Sequence, residues 1–203
     1  MKRILATALA ATLLAACGSD SNDTTNTNPT LTTAAEIKTY LDGKSWKMTG
    51  ADIPAFPNGY NANTNYGAAT QCYNETVIAT NANWTVTSKL GTLNGATTVG
   101  STGTCDKSTP SGSPLTFTST AILIENVSGN ADCFDVTATY ATFAQAGRGK
   151  FSADGKTMTL ELYFSTQATK NRCADGAVGS ATVTLNGAVN YDGSKSLQVY
   201  RLQ

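Results

Sequence analysis

The sequence contains no histidine, and this absence excludes more chemistry than any other feature of its composition. Without an imidazole, the chain cannot form a Ser–His–Asp or Cys–His nucleophilic system or a histidine-based metal site. Charged residues are also scarce, at 14% of the chain, and their formal charges cancel. Because nucleic-acid binding depends on clustered basic residues, this composition argues against a nucleic-acid partner.

Catalytic and cofactor motifs are missing as well: there is no Gly-x-Ser-x-Gly elbow, no phosphate-binding loop and no Cys-x-x-Cys pair. Only carboxylate chemistry survives these exclusions, because it needs just two suitably placed acids. On the predicted strands, Asp135 and Glu161 take the solvent-facing parity. Glu75 alternates in phase with Tyr73 and Val77, so an inward-facing side chain remains an alternative. A position in an ion pair is the favoured interpretation. We therefore predict a protein that is not an enzyme and has neither cofactor nor metal.

The first 16 residues have the layout of a secretory signal peptide. Lys2 and Arg3 give a positively charged start, and the apolar run that follows is too short to span a bilayer. The run ends in Leu14-Ala15-Ala16-Cys17, which resembles the lipobox of bacterial lipoproteins. An ordinary signal peptide, or an uncleaved anchor, is the alternative.

The lipobox resemblance implies that Cys17 receives a diacylglyceryl thioether, and that the amine freed by cleavage is then acylated. Two or three acyl chains, such as palmitate, hold a protein stably on a membrane, which makes the membrane its first partner. Gly18 follows the cysteine, in place of the aspartate that retains such proteins in the inner membrane. The resemblance therefore implies an outer-membrane lipoprotein of the cell envelope, facing either the periplasm or the surface.

The rest of the chain divides into a tether and one domain. Residues 17–33 are mostly Ser, Asp, Asn and Thr, so this lipidated N-terminus can bury almost nothing and is predicted to be a flexible tether. Residues 34–203 are enough for a single domain with its own core.

A short helix is predicted to precede a series of strands. Thr33-Ala34-Ala35-Glu36 has the form of a capping box, and apolar residues repeat at helical spacing as far as Leu41. From Trp46 the periodicity changes to two, which is typical of strands with one buried face. Strands are expected near residues 45–50, 71–79, 83–93, 115–127, 133–143, 147–152, 157–166, 180–191 and 195–202.

Turn residues separate these strands. Asp154-Gly155 and Asp192-Gly193 are hairpin signals, whereas Asn186-Gly187 interrupts a continuous parity and is interpreted as a bulge. Long polar loops are expected over 52–70 and 93–114. The pattern predicts an all-β fold, an antiparallel meander of about eight to ten strands closed as a barrel or stacked as a β-sandwich.

After the helix, Leu41-Asp42-Gly43-Lys44-Ser45-Trp46 resembles the opening of lipocalin-like (calycin) domains. In that family the tryptophan lies at the base of an up-and-down barrel, and an arginine near the last strand packs over it. Arg201, near the predicted last strand, is in the position of that arginine, so the resemblance implies that it packs over Trp46. The segment Phe151–Leu160 also resembles hairpins of bacterial lipocalin-like domains. The Gly-x-x-Trp spacing is one residue longer than the family motif, and other open barrels and sandwiches remain alternatives.

Four cysteines follow Cys17, and an even number in an oxidising compartment predicts two disulfides. Three pairings are open. Cys72 and Cys133 are each followed by an aromatic residue and then Asn or Asp, and each has its next cysteine in a later polar loop. This similarity favours Cys72–Cys105 and Cys133–Cys173.

Two functions from different classes fit these features. The first is a binding module that holds a small apolar or amphipathic ligand, or a glycan, in the interior or mouth of the β domain. Its candidate lining consists of strand aromatics that an ordinary core explains as well or better. They are Trp46, Trp84, Phe134, Tyr140 and Phe164.

The second function is that of a structural or surface-interaction lipoprotein, which contacts an envelope partner through its two long polar loops. In the first loop, Phe56, Tyr60 and Tyr66 alternate with asparagines. Aromatic rings beside amides can stack on sugars and bond their hydroxyls. The same composition is also ordinary for a polar, turn-rich loop, which is the favoured interpretation.

Overall fold

The computed structural model describes residues 28–52, 60–61, 72–95, 102–164, 168–185, 189–192 and 197–203. Within these ranges the protein is all-β with one short α-helix. The signal peptide and Cys17 lie outside the described residues, as do Phe56, Tyr66 and most of the tether. No helix in the described ranges is long and apolar enough to cross a membrane.

Helix α1 spans Ala34–Leu41, as the sequence predicts. The Thr33 hydroxyl accepts the Glu36 N–H, and the Glu36 carboxylate accepts the Thr33 N–H, which closes the capping box. Ile37 and Leu41 are buried on one face of the helix. Gly43 then takes a φ of 72°, a conformation that costs glycine little and turns the chain into the first strand.

Thirteen strands follow in two sheets within the described ranges. The main sheet is an antiparallel meander of nine longer strands, with the two-residue strand β2 on its edge, and β10 to β12 form a separate sheet. The strands are β1 (Lys44–Thr49), β2 (Tyr60–Asn61), β3 (Tyr73–Thr80), β4 (Trp84–Gly95), β5 (Thr102–Thr118), β6 (Ala121–Ser128), β7 (Cys133–Thr139), β8 (Ala144–Phe151), β9 (Thr157–Phe164), β10 (Ala168–Thr169), β11 (Thr182–Leu185), β12 (Val189–Asp192) and β13 (Gln198–Leu202).

The main sheet has the order β2-β5-β4-β3-β1-β13-β9-β8-β7-β6. Its outer long strands, β5 and β6, are consecutive in the chain and are linked only by Ser119 and Thr120. β5 and β6 run in the same direction in this order, so the sheet curls and β6 continues β5 beyond a bend. At the bend, the Ser119 and Thr120 N–H groups donate to the Trp84 and Thr139 carbonyl oxygens at 2.9 and 2.7 Å. No ladder joins β5 to β6 in the described residues, so the predicted barrel is not closed. We call the free edge of β5 beside this bend the open seam.

Two predicted elements near the seam are wrong. The single strand expected over 115–127 is divided at Ser119, whose hydroxyl accepts the Trp84 N–H at 2.8 Å and fixes the bend. Much of the loop expected over 93–114 belongs to β5. A strand at the margin of a sheet needs few apolar residues, which explains why its Ser- and Thr-rich sequence was interpreted as a loop.

The bulge predicted at Asn186-Gly187 is also wrong. Leu185 pairs with Val189 in the antiparallel ladder between β11 and β12, so the chain reverses between two short strands. Continuous parity cannot distinguish these cases, because a tight hairpin also brings residues of like parity to one face. In contrast, the Asp154-Gly155 hairpin between β8 and β9 is confirmed, with Gly155 at a φ of 72°.

The core lies on the concave face of the curled sheet and is closed at one end by α1. Ring centroids of Trp46 and Phe151 are 5.6 Å apart, and Phe134 stacks on Phe151 at 5.5 Å. Tyr40 of α1 meets the edge of Phe151 at 5.7 Å. We call this aromatic cluster and the helix over it the closed end.

The lipocalin-like expectation for Arg201 is wrong. Arg201 is opposite Lys47 in the ladder between β1 and β13, whereas Trp46 is opposite Leu202. Neighbouring residues of a strand point to opposite faces, so Arg201 lies on the outer face and does not pack over Trp46. Its guanidinium donates instead to the Asp52 carboxylate at 2.9 Å.

Candidate functional site

The structure divides the five predicted lining aromatics between the two ends of the concave face. Trp46, Trp84 and Phe134 are fully buried members of the core. Tyr140 and Phe164 lie elsewhere, at the ends of β7 and β9 that are remote from α1. Only these two therefore remain near a surface that a ligand can reach.

Tyr140 and Phe164 belong to a second aromatic group, the open-end cluster, with Phe117 and Phe143. Tyr140 stacks on Phe143 with centroids 4.5 Å apart, and Phe164 meets the edge of Phe143 at 5.4 Å. Phe117 of β5 meets Phe143 at 5.6 Å, which spans the open seam. The sequence analysis missed Phe117 and Phe143. The alternation Thr116-Phe117-Thr118 was the available signal for Phe117.

Apolar surface is exposed where β5 borders the seam. Phe117 is opposite Val86 and Leu115 is opposite Ser88, so both take the concave parity of β4. They are nevertheless 44% and 41% exposed. A strand paired with the free edge of β5 would cover them, but no described strand pairs with that edge at Leu115 or Phe117. An exposed apolar patch of this kind is typical of a binding surface.

Hydroxyl groups accompany the aromatics on this part of the concave face. The Thr76 and Ser88 hydroxyls are 3.0 Å apart and buried, and the Tyr200 hydroxyl donates to the Gln198 amide oxygen at 2.8 Å. Burial raises the pKa of Tyr73 to about 12. This part of the concave face thus combines aromatic rings with hydrogen-bonding groups, which suits an amphipathic molecule.

Asp135 and Glu161 lie on the outer face, as their parity predicts, but the expectation that they face solvent is wrong. Asp135, Arg148 and Glu161 are neighbours across β7, β8 and β9, and all three are buried. Arg148 Nε donates to Glu161 Oε2 at 2.8 Å, and both side chains are 0% exposed. This outer face is buried because a later segment of the chain covers it.

That segment, residues 171–181, is called the outer clasp. The predicted disulfide Cys133–Cys173 is confirmed and fastens the clasp to β7. The Cys173 N–H donates to Asp135 at 2.8 Å. Arg148 donates to the carbonyl oxygens of Arg172 and Gly176 at 2.9 and 2.7 Å. The acids beneath the clasp are thus occupied by structural bonds.

Glu75 takes the ion-pair position that the sequence favoured. Its carboxylate bonds Lys47, and Lys89 Nζ lies 3.2 Å away on the next strand. Hydrogen bonding from Lys47 holds the pKa of Glu75 below its usual value. The three side chains form an ion triplet on the outer face.

The structure describes the remaining predicted site residues only in part. Cys72 is disulfide-bonded, but the side chain of Cys105 lies outside the description, so the Cys72–Cys105 pairing stays a prediction. Tyr60 begins β2 and is opposite Gly103. Among the described residues, no group of three or more Cys, Asp or Glu side chains is arranged to hold a metal.

An open depression of about 440 Å³ lies by the β8–β9 hairpin. Its lining mixes charged, hydroxyl and aromatic side chains without a catalytic arrangement. The lining residues are Asp132, Lys150, Phe151, Ser152, Thr157 and Thr159.

Comparison of the chain with protein-family models, with curated proteins and with solved structures finds no match.

Proposed function

We propose that this chain is a lipid-anchored envelope protein whose β domain is a non-catalytic binding module. It holds a small apolar or amphipathic molecule at the open-end cluster. The observation that carries this proposal is the exposure of Phe117 and Leu115 on the concave face beside the seam. The lipobox supports the anchor, with Cys17 as the acylated residue and the outer membrane as the compartment.

The closed end is a poor alternative location for the ligand. Its rings already contact one another and the helix, so a ligand there would have to displace packed core. At the open end, a ligand covers surface that the fold leaves in water. Each Å² of apolar surface covered contributes roughly 25 cal/mol, before the cost of association is subtracted.

The surface-interaction function remains the alternative. One of its two loops, 93–114, is largely strand β5, and the other lies mostly outside the described residues. The lipocalin-like relationship likewise stays a prediction.

Phe117→Ser is expected to weaken binding of the neutral fluorophore N-phenyl-1-naphthylamine by about tenfold or more, because it removes the ring that spans the seam. The measurement is a fluorescence titration of the purified mature domain. Leu123→Ser is the matched control, since Leu123 is 47% exposed but sits on the outer face of β6 opposite Thr137. The control should bind like the wild type.

Equal losses in the two variants would show that the dye reports general surface hydrophobicity. Unchanged binding in Phe117→Ser would remove the open-end cluster as the site.

Cys17→Ser is expected to abolish acylation, because a serine hydroxyl cannot form the thioether. The measurement is metabolic labelling with a palmitate analogue in a bacterial host, followed by separation of membrane and soluble fractions. The wild type should be labelled and membrane-bound, and Cys17→Ser should be neither. Equal labelling of both chains would contradict lipidation at Cys17.

A further inference from the structure

Strand β5 pairs with β4 along one edge, and its other edge is largely free. The short strand β2 occupies the free edge at Thr102 and Gly103, and no described strand pairs with that edge between Ser111 and Thr118. An unpaired edge presents backbone N–H and C=O groups that can bond another strand. The pairing with β2 shows that this edge of β5 accepts an antiparallel strand.

The bond at the bend shows which backbone groups of β5 point away from β4. The Ser119 N–H donates to the Trp84 carbonyl oxygen at 2.9 Å. In an antiparallel ladder, pairs that exchange backbone bonds alternate with pairs whose backbone groups point outward. Counting back from this bond along the regular register, Phe117 is bonded to β4, whereas Thr116 and Thr118 direct their N–H and C=O groups to the free edge.

Side-chain distances support this assignment independently. Residues that are opposite each other without exchanging backbone bonds lie closer together than those that do, so their side chains meet. The Thr116 hydroxyl lies 3.3 Å from the hydroxyl of Thr87. The hydroxyls of Thr118 and Thr85 are 3.1 Å apart. These contacts lie on the outer face, opposite to the exposed Phe117.

The free edge has a sequence that suits pairing with itself. The segment from Ser108 to Thr118 contains no charged residue, although charged side chains commonly protect an exposed edge. Two copies can therefore meet antiparallel about a twofold axis at Thr116 without bringing like charges together. Leu115 of each copy then lies beside Phe117 of the other on the concave face, so the exposed apolar residues of both copies are covered by one contact.

We propose that the free edge of β5 is a dimer interface, at which a second copy of this chain pairs antiparallel and joins the two sheets. Each Thr116 N–H donates to the Thr116 carbonyl oxygen of the other copy. The ladder is short, because Pro114 has no N–H to donate. A contact of this size belongs to the small interfaces, so we expect a dissociation constant in the micromolar range. The dimer goes beyond the proposed ligand binding and does not depend on it.

Charge exchange at the twofold axis tests the proposal. The Thr116 side chain is exposed on the outer face, so Thr116→Lys and Thr116→Glu should fold, and both keep the backbone N–H. In either variant the axis places two like charges directly opposite each other, which destabilises a strand pair. The matched control is Leu123→Lys, which adds the same charge to the outer face of β6.

Sedimentation velocity of residues 18–203, at about 1 to 300 µM, measures the association. The wild type is expected to change from monomer to dimer across this range. Each Thr116 variant alone should associate about tenfold more weakly or worse, whereas an equimolar mixture of the two should dimerise at least as tightly as the wild type. Leu123→Lys should behave like the wild type. Association of the mixture also shows that both Thr116 variants are folded.

A wild type that stays monomeric over this range would overturn the proposal. Thr116 variants that each associate like the wild type would exclude this edge, and so would a mixture that stays monomeric. An equal loss of association in Leu123→Lys would place the contact elsewhere on the sheet. Dye binding by a monomeric wild type would leave the proposed function intact, so the two proposals can fail separately.

Discussion

Glu161→Gln is expected to lower the free energy of unfolding by about 3 to 5 kcal/mol, because it leaves a buried arginine without its counter-charge. Arg148 and Glu161 are both fully inaccessible, so water cannot compensate for the lost charge. The measurement is urea denaturation followed by tryptophan fluorescence, with the slope used to check that unfolding stays two-state.

The geometry around the carboxylate explains why even an isosteric amide is not tolerated. Four donors surround Glu161: Arg148 Nε at 2.8 Å, the Tyr163 hydroxyl at 2.9 Å, and the Gly179 and Ala181 N–H groups at 2.7 and 3.1 Å. A glutamine amide can turn only one oxygen toward these donors. Its NH₂ group must then face another donor, so at least one buried bond is lost.

The control is the same substitution on the outer ion triplet. Glu75→Gln removes contacts with Lys47 and Lys89 that lie partly in solvent, and should cost less than about 1 kcal/mol. Losses of similar size in the two variants would mean that water or another acceptor reaches Arg148, and the account of a sealed pair would be wrong.

Removal of the clasp disulfide is expected to have the second largest effect. The double variant Cys133→Ala/Cys173→Ala releases a cross-link between cysteines 40 residues apart. In the chain-entropy model, a loop of that size corresponds to about 4 kcal/mol, and measured values often fall below this figure. Urea denaturation of the oxidised proteins checks the change without disturbing the disulfide at Cys72.

The same variant should also loosen the clasp locally. Hydrogen exchange at the Gly179 and Ala181 amides, which donate to Glu161, is expected to rise more than exchange in β1 and β3. A loss below about 1 kcal/mol, with both amides still protected, would show that the ion pair alone holds the clasp.

Local features of the fold were predictable where nearby residues determine them. The capping box from Thr33 to Glu36 places α1, and Asp154-Gly155 places the β8–β9 hairpin, because each uses bonds within a few residues. The Cys133–Cys173 pairing was also predicted, from the similarity of the residues after Cys72 and Cys133.

The outer face was not predictable from strand parity. Alternation correctly placed Asp135 and Glu161 on the face opposite the core, but parity does not say what else covers that face. The outer clasp joins β7, β8 and β9 from more than ten positions later in the chain, and its own sequence contains mostly small residues, with no strand-like alternation. Burial there is a tertiary effect, produced by bonds that alternation does not encode.

The binding site was predicted only in part, for a related reason. Tyr140 and Phe164 were chosen as strand aromatics, but so were Trp46, Trp84 and Phe134, which became core. The two groups lie at opposite ends of the concave face, a difference that strand parity does not encode, and the exposed Phe117 lies close to the bend at Ser119. The sequence analysis treated that stretch as one strand, so it could not locate the seam.

The pairing of β1 with β13 has a consequence for the order of folding. Hairpins of neighbouring strands build the two arms of the sheet, β1 to β5 and β6 to β9, with low contact order. The arms become one sheet only when Trp46 comes opposite Leu202, near the end of the chain. That step carries the largest loop-closure entropy. We therefore expect it to come late in folding, after the two arms have formed their own hairpins.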